Sequence, residues 1–319
     1  MTSLTSTHFL VDNSKLDLIT TCPQLAYLSI IRSLRSSSES PALRYGGFIH
    51  RALAYRYRRL GQGRQWTEDV QIRILQHCFT KTPCEIEGWR NLDSAVKTIR
   101  SYNTAWANDK VVVAKKSNGT PLVEQPFAVD TGVVLHGRRI VYIGRIDLVL
   151  VTVSGLLVVD HKTTSQLGDS FWFDQAASPQ HRGYCWALRE TLGVTPMGYE
   201  VNAVATRESV VNFDYNPITG KLVTTGKSKA TPCEFARSPL TQVTPGDLVK
   251  WYNNMLAIVD NFLGYVDRNS YPEHKKHCVH KNGICPFYHV CNSNMSDSDR
   301  EAALQSSAFT ENTWSPLYK

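Results

Sequence analysis

The spacing of apolar residues changes twice along this chain and divides it into three stretches. Up to about residue 110 the apolar positions recur at helical intervals, predicting helices over 15–35, 45–60, 66–80 and 90–109. Strand-like apolar runs follow at 121–130, 133–143, 145–153 and 156–161. Beyond them the pattern predicts a helix over 175–192 and a strand pair at 198–206 and 209–216. A polar, turn-rich stretch at 216–246 precedes a helix at 247–268. The tail after Cys291, NSNMSDSDREAALQSSAF, is poor in large apolar groups and is expected to be disordered or loosely packed. No internal repeat is visible.

The segment from Gly144 to Thr164, GRIDLVLVTVSGLLVVDHKTT, carries the most chemistry. Two apolar runs flank a turn at Ser154-Gly155, which predicts a β-hairpin. Asp147 stands near the start of the first strand, and Asp160 and Lys162 stand near the end of the second. In an antiparallel pair these are the same end, so the three side chains converge. Alternation puts Asp160 and Lys162 on one face. A single charge at a strand end is ordinarily the point where a chain meets water. Two acids and a lysine behind unbroken Val/Ile/Leu strands instead suit a hard divalent cation and an activated water.

Other segments add candidates. Tyr45–Leu53, YGGFIHRAL, is helix-compatible and contains His50. In Pro179–Leu188, Gln180 and Tyr184 are four apart and share a helix face. Tyr55-Arg56-Tyr57-Arg58-Arg59 interleaves rings and guanidinium groups, a combination that stacks on bases and pairs with phosphates. Of eight cysteines, Cys278, Cys285 and Cys291 cluster late and Cys22 lies early; Cys78, Cys84, Cys185 and Cys233 have no comparable grouping. The N-terminal sequence shows no signal-peptide pattern, so a reducing, cytoplasmic setting is expected, where clustered cysteines favour metal over disulfides. Zinc with His274, His277, His280 or His289, plain thiols and disulfides stay open as readings.

Length and charge change the picture little. With 319 residues the chain can bury a full core, and no apolar run approaches the roughly 20 residues a membrane span needs. A net charge of +7 and a pI near 8.9 are compatible with a polyanionic partner. Gly226-Lys227-Ser228 has the ending of a phosphate-binding loop, but Gly220, the nearest upstream glycine, leaves five intervening residues rather than four and no helix follows, which argues against an ATPase.

The acid, gap, acid-x-Lys order of Asp147, Asp160 and Lys162 resembles the PD-(D/E)XK nuclease core, and the wording GRID…VVDHKT is similar to its RecB-like branch, which includes CRISPR-associated adaptation nucleases and phage exonucleases. That resemblance spans about Cys22 to Cys291. It implies an α/β fold with a mixed central sheet flanked by helices, a helical N-terminal region and a cysteine-ligated cluster joining the chain ends. The implied organisation is a single nuclease domain over 1–291. Its helical region covers about 15–110, its core about 120–205 and its C-terminal helix and cysteine trio about 247–291, with a tail at 292–319.

The resemblance also assigns roles. Gly47, His50 and Leu53 match a Gly-x-x-His-x-x-Leu element that supplies a histidine metal ligand. Asp147, Asp160, His50 and the carbonyl of His161 are implied to hold Mg²⁺ or Mn²⁺, with the His161 side chain turned away. Lys162 is implied to orient the attacking water. Gln180 and Tyr184 match a Gln-x-x-x-Tyr helix that supports the site and contacts nucleic acid, and Glu124 matches a glutamate on the preceding strand. Cys22, Cys278, Cys285 and Cys291 match ligands of a 4Fe-4S cluster, with zinc the alternative. The implied activity is DNA cleavage, as an exonuclease on single strands or ends, with recombination or CRISPR-type protein partners. A catalytically silent DNA-binding module and a structure-specific endonuclease are the alternatives.

Overall fold

Helix breakers and turn residues set most of the element boundaries in the computed structural model, which describes residues 7–37, 40–81, 90–206, 213–215, 222–224, 233–280, 283–312 and 315–317. Strand β1 (His8–Val11) leads into α1 (Asn13–Thr21), where Asp12 accepts the first-turn amide of Lys15. The helix expected over 15–35 is broken: α2 (Pro23–Ala26) starts anew, passes into a π-helical turn over Tyr27–Ile31 and ends in β2 (Leu34–Ser36). Pro23 lacks the N–H that a continuing helix needs. Helices α3 (Pro41–Gly61), α4 (Glu68–Lys81) and α5 (Leu92–Ala105) form the N-terminal helical layer, the last opened by an Asn91–Ser94 capping box.

After β3 (Val112–Val113) come β4 (Val123–Leu135), β5 (Arg138–Thr152) and β6 (Gly155–Thr164). The expected strand limits at 133 and 143 shift. His136 and Gly137, at φ 49° and 74°, make the two-residue turn between β4 and β5. Gly144 lies inside β5, where a Cβ would run into the Phe127 ring. The helix expected over 175–192 is two, α6 (Asp169–Ala177) and α7 (Gln180–Leu192), parted at Ser178-Pro179. Then follow β7 (Gly198–Ala205), β8 (Phe213–Tyr215), β9 (Leu222–Thr224), β10 (Glu234–Arg237), β11 (Thr241–Gln242) and the long α8 (Pro245–Asp267), opened by a Thr244–Asp247 capping box. Cys84 and Gly226–Ser228 lie outside the described residues.

The segment past Cys291 carries secondary structure in its described residues. After β12 (Val279–His280), β13 (Gly283–Ile284) and α9 (Tyr288–Asn292) come α10 (Asp297–Leu304) and β14 (Phe309–Glu311). Strand β14 pairs with β2, Phe309 stacks on Phe287 and Leu304 is buried. A few well-placed apolar groups, rather than a high proportion of them, anchor this segment.

The central sheet is mixed. Along one edge β5 pairs with β4 and β3, both antiparallel. Along the other edge it pairs with β1, in parallel, over 139–142, and with β6, antiparallel, over 148–152. Residues 143–147 are left between those partners, so that edge of the sheet has a notch. Parallel β7 extends the sheet beyond β6. One face is covered by α1, α7 and α8, packing on residues such as Tyr142, Val149 and Val158. The other is covered by α3, α4 and α5, on Leu148, Leu157 and Val159. Among the described residues, no helix is long and apolar enough to cross a membrane.

Candidate active site

Alternation along β6 sends Asp160 and Lys162 to the α7 face, together with Val158. It sends His161 to the α3 face, together with Leu157 and Val159. The β5–β6 ladder ends at Leu148 opposite Val159. One residue further on, the Asp147 carboxylate takes over, accepting the His161 amide at 2.9 Å. Asp147 therefore lies at the head of the notch, and its side chain satisfies a donor that the parted strand no longer can.

Asp160 is buried, and both polar contacts of its carboxylate fall on Oδ2: Lys162 Nζ at 2.7 Å and His181 Nε2 at 3.1 Å. The Lys162 ammonium also donates to Gln180 Oε1 at 2.8 Å, and Gln180 Nε2 donates to the Tyr184 hydroxyl at 2.6 Å. The four-residue spacing of Gln180 and Tyr184 on α7 thus orders a chain that fixes the lysine. Gly183 lets α7 come close, because a Cβ there would meet Tyr142 and Trp251. Burial pushes the Asp160 carboxyl up, but Lys162 and His181 outweigh it and hold it well below the usual carboxylate range. Burial pulls Lys162 down, while Asp160 and Asp147 carry it above an ordinary lysine.

His50 reaches the site from α3. A Cβ at Gly46 would lie 2.6 Å from Thr163 Oγ1, so this glycine lets α3 pack directly on β6. His50 Nδ1 lies 3.5 Å from Asp147 Oδ2. Burial lowers the His50 pKa, but Asp147, then Glu124 and Asp160, raise it above the ordinary value. In turn burial raises Asp147, and the charge and hydrogen bond of His50 bring it below its ordinary value. Glu124 is buried, with a left-handed φ of 51° between the paired residues Val123 and Gln125. Such a conformation is costly for a non-glycine residue and is concentrated at functional sites.

His50, Glu124 and Asp147 offer ligand atoms that all lie within 4.8 Å of one another. One imidazole and two carboxylates suit a hard divalent cation such as Mg²⁺ or Mn²⁺. Glu124 belongs to this group, and the Asp160 carboxylate contacts Lys162 and His181. The group opens on a cleft of about 520 Å³, lined also by Asn13, Arg51, Arg145, Gln180 and Tyr184. Pro316 of the C-terminal segment lines the same cleft.

His161 turns its ring away from this cleft, stacked on Tyr57 at 5.4 Å and 2.8 Å from Asn202 Nδ2. Burial brings its pKa down to about 4, so the ring is neutral. The Tyr55–Arg59 patch does not offer the expected nucleic-acid surface in full. Arg56 is buried against Asn103 and the Trp106 carbonyl, and Tyr57 bonds to Tyr102. Two contributors escaped the sequence reading in whole or part: His181, and Arg145 beside Asp147. Their only signal was position, next to Gln180 and within the GRID wording.

A second group of candidate ligands is drawn from early and late parts of the chain. Cys22, Cys278, Cys285 and Cys291 line one small, mostly apolar pocket with Leu25, His274 and Phe287. The Cys22 sulfur accepts the His274 amide at 3.4 Å, and the Cys285 amide donates to the Cys278 carbonyl. Burial, with Glu273 and the neighbouring thiols behind it, pushes Cys291 up to about 12. Cys78 and Cys185 are buried elsewhere, and the described cysteines are free thiols. Tetrahedral zinc, with Zn–S near ~2.3 Å, would set sulfurs ~3.8 Å apart. Among the described residues, no three of these thiols approach within 4.8 Å of one another.

The family model of the PD-(D/E)XK nuclease superfamily matches residues 13–292. No curated protein matches the chain. A solved structure described as the crystal structure of SSO0001 aligns with 11% identity over 88% of this chain and 96% of that chain, at a TM-score of 0.30. The family match takes in β5, β6, α3 and α7, which carry Asp147, Asp160, Lys162, His50 and Gln180, and the chain belongs to the PD-(D/E)XK nuclease superfamily.

Proposed function

We propose that this chain is a metal-dependent deoxyribonuclease of the RecB-like kind that degrades DNA from single strands or ends. The observation that carries the reading is the His50, Glu124 and Asp147 group beside a lysine fixed between Asp160 and Gln180. A divalent cation bound there supplies Lewis acidity and lowers the pKa of a bound water. Lys162, held by two acceptors, presents an oriented ammonium that steers the attacking water and meets the charge growing on the phosphate. Arg51 and Arg145 in the cleft wall meet phosphate oxygens, and Gln180 and Tyr184 keep the lysine in place. Asp160, with the His161 carbonyl, completes the ligand set. The intact Asp160–Lys162–Gln180 chain favours an active enzyme over a silent binding module.

The cysteine pocket is proposed to hold a 4Fe-4S cluster that ties α2 to the C-terminal segment. Four thiols lining one pocket, one early and three late in the chain, support this reading. Recombination or CRISPR-type DNA processing is the proposed setting. Purified protein incubated with linear and circular, single- and double-stranded DNA tests the activity, in Mg²⁺, Mn²⁺ or EDTA. The reading expects loss of linear DNA with either metal and none in EDTA; cutting of closed circles would make it an endonuclease, and cutting in EDTA would overturn the metal.

A further inference from the structure

We infer that His181 is a positioning residue for the metal site, acting through Asp160. The inference rests on the functional reading above but concerns a residue outside the implied ligand set. His181 follows Gln180 on α7, and its side chain is fully buried. Nε2 lies 3.1 Å from Asp160 Oδ2, and Nδ1 is buried with no hydrogen-bond partner. Asp160 is thus the one polar partner of this ring among the described residues. With Nδ1 unpartnered, the proton belongs on Nε2, where it donates to the carboxylate.

Packing fixes the ring. It stacks on Tyr199 of β7, with centroids 4.6 Å apart and an interplanar angle of 16°. Tyr199 is itself buried, so the imidazole has little freedom to swing. Its N–H and the Lys162 ammonium converge on the same oxygen, which sets the plane of the Asp160 carboxylate and leaves Oδ1 as the free oxygen. A buried carboxylate held by one flexible lysine alone could rotate; the stacked imidazole removes that freedom. Gln180 and His181, adjacent on α7, therefore serve different groups, the first holding the lysine and the second the acid.

The test is Mn²⁺ binding, followed by the paramagnetic resonance signal of free Mn²⁺, on the full chain at fixed pH. His181→Phe keeps a flat ring against Tyr199 and removes the donor. It should weaken Mn²⁺ binding by about 10–100-fold, the usual effect of losing a group that orients a ligand. His181→Gln restores a donor and should recover most of the affinity, whereas His181→Met, alike in length to Gln, should not. Should the Phe variant fail to fold, the Gln and Met pair decides alone. Equal affinity of Phe and wild type, or of Gln and Met, overturns the inference and leaves the functional reading standing. A wild-type protein that takes up no Mn²⁺ overturns both.

Discussion

Replacing Lys162 with methionine isolates the charge at the heart of the site. Methionine keeps an unbranched apolar stem but removes the ammonium that donates at 2.7 Å to Asp160 and at 2.8 Å to Gln180. Breaking a buried pair by removing one partner costs about 3–5 kcal/mol, because the other charge is left uncompensated. Two features reduce this here. The Lys162 side chain is 27% exposed, so water reaches it, and His181 still donates to Asp160 Oδ2. A loss of about 2–3 kcal/mol at neutral pH is expected, or roughly 4–12 °C in Tm at ~2–4 °C per kcal/mol.

The sign with pH follows from Asp160. Its folded pKa is depressed, so its contribution is present above the unfolded value near ~4 and lost as pH falls through the folded value. The stability gap between wild type and Lys162→Met should therefore hold from pH 7 down to about 4 and narrow as pH falls further, read by denaturant unfolding at each pH. Cleavage should fall by at least ~10²-fold, the scale of losing one preorganised electrostatic group, while DNA binding stays near wild type. Wild-type cutting by this variant, or a stability gap that does not change with pH, would refute the reasoning.

Other outcomes follow from the same geometry. His50→Ala should weaken Mn²⁺ binding, and unchanged half-saturation in a metal titration would return His50 to a packing role. Because Asp147 raises the His50 pKa, protons compete with metal below neutrality, so affinity should tighten from pH 6 to 8; a flat profile would contradict this. Gly46→Ala should cost about 1–3 kcal/mol and loosen metal binding with it, since Thr163 blocks the added methyl; a variant as stable as wild type would show that α3 has room to shift. Anaerobically purified protein should be brown, and serine at Cys22, Cys278, Cys285 or Cys291 should bleach it and lower Tm. Serine at Cys185 should leave the colour; a colourless, zinc-loaded protein would reject iron.

What the sequence made legible were features with a period. Asp147, Asp160 and Lys162 could be placed at one end of a hairpin because strand alternation is strict, and Gln180 with Tyr184 because four residues bring side chains onto one helix face. Features without a period were hidden from the pattern of spacing, and only the resemblance named Glu124. Glu124 enters the site through a left-handed φ that no propensity foretells, and His181 through the close approach of α7 permitted by Gly183. The notch itself depends on β1 and β6 sharing an edge of β5 without meeting, a long-range arrangement. Arg56 looked like a surface group, but Asn103 and the Trp106 carbonyl satisfy it inside the helical layer. In the segment after Cys291, which is polar by composition, Leu304 and Phe309 pack on Leu28 and Phe287, contacts without a sequence period.

The central claim is that His50, Glu124 and Asp147 form a metal centre, and anomalous scattering from Mn²⁺-soaked crystals tests it most directly. The account predicts a manganese peak within coordinating reach of all three side chains, lost in the Asp147→Ala protein. A peak elsewhere, or none in wild-type crystals at saturating Mn²⁺, would contradict it.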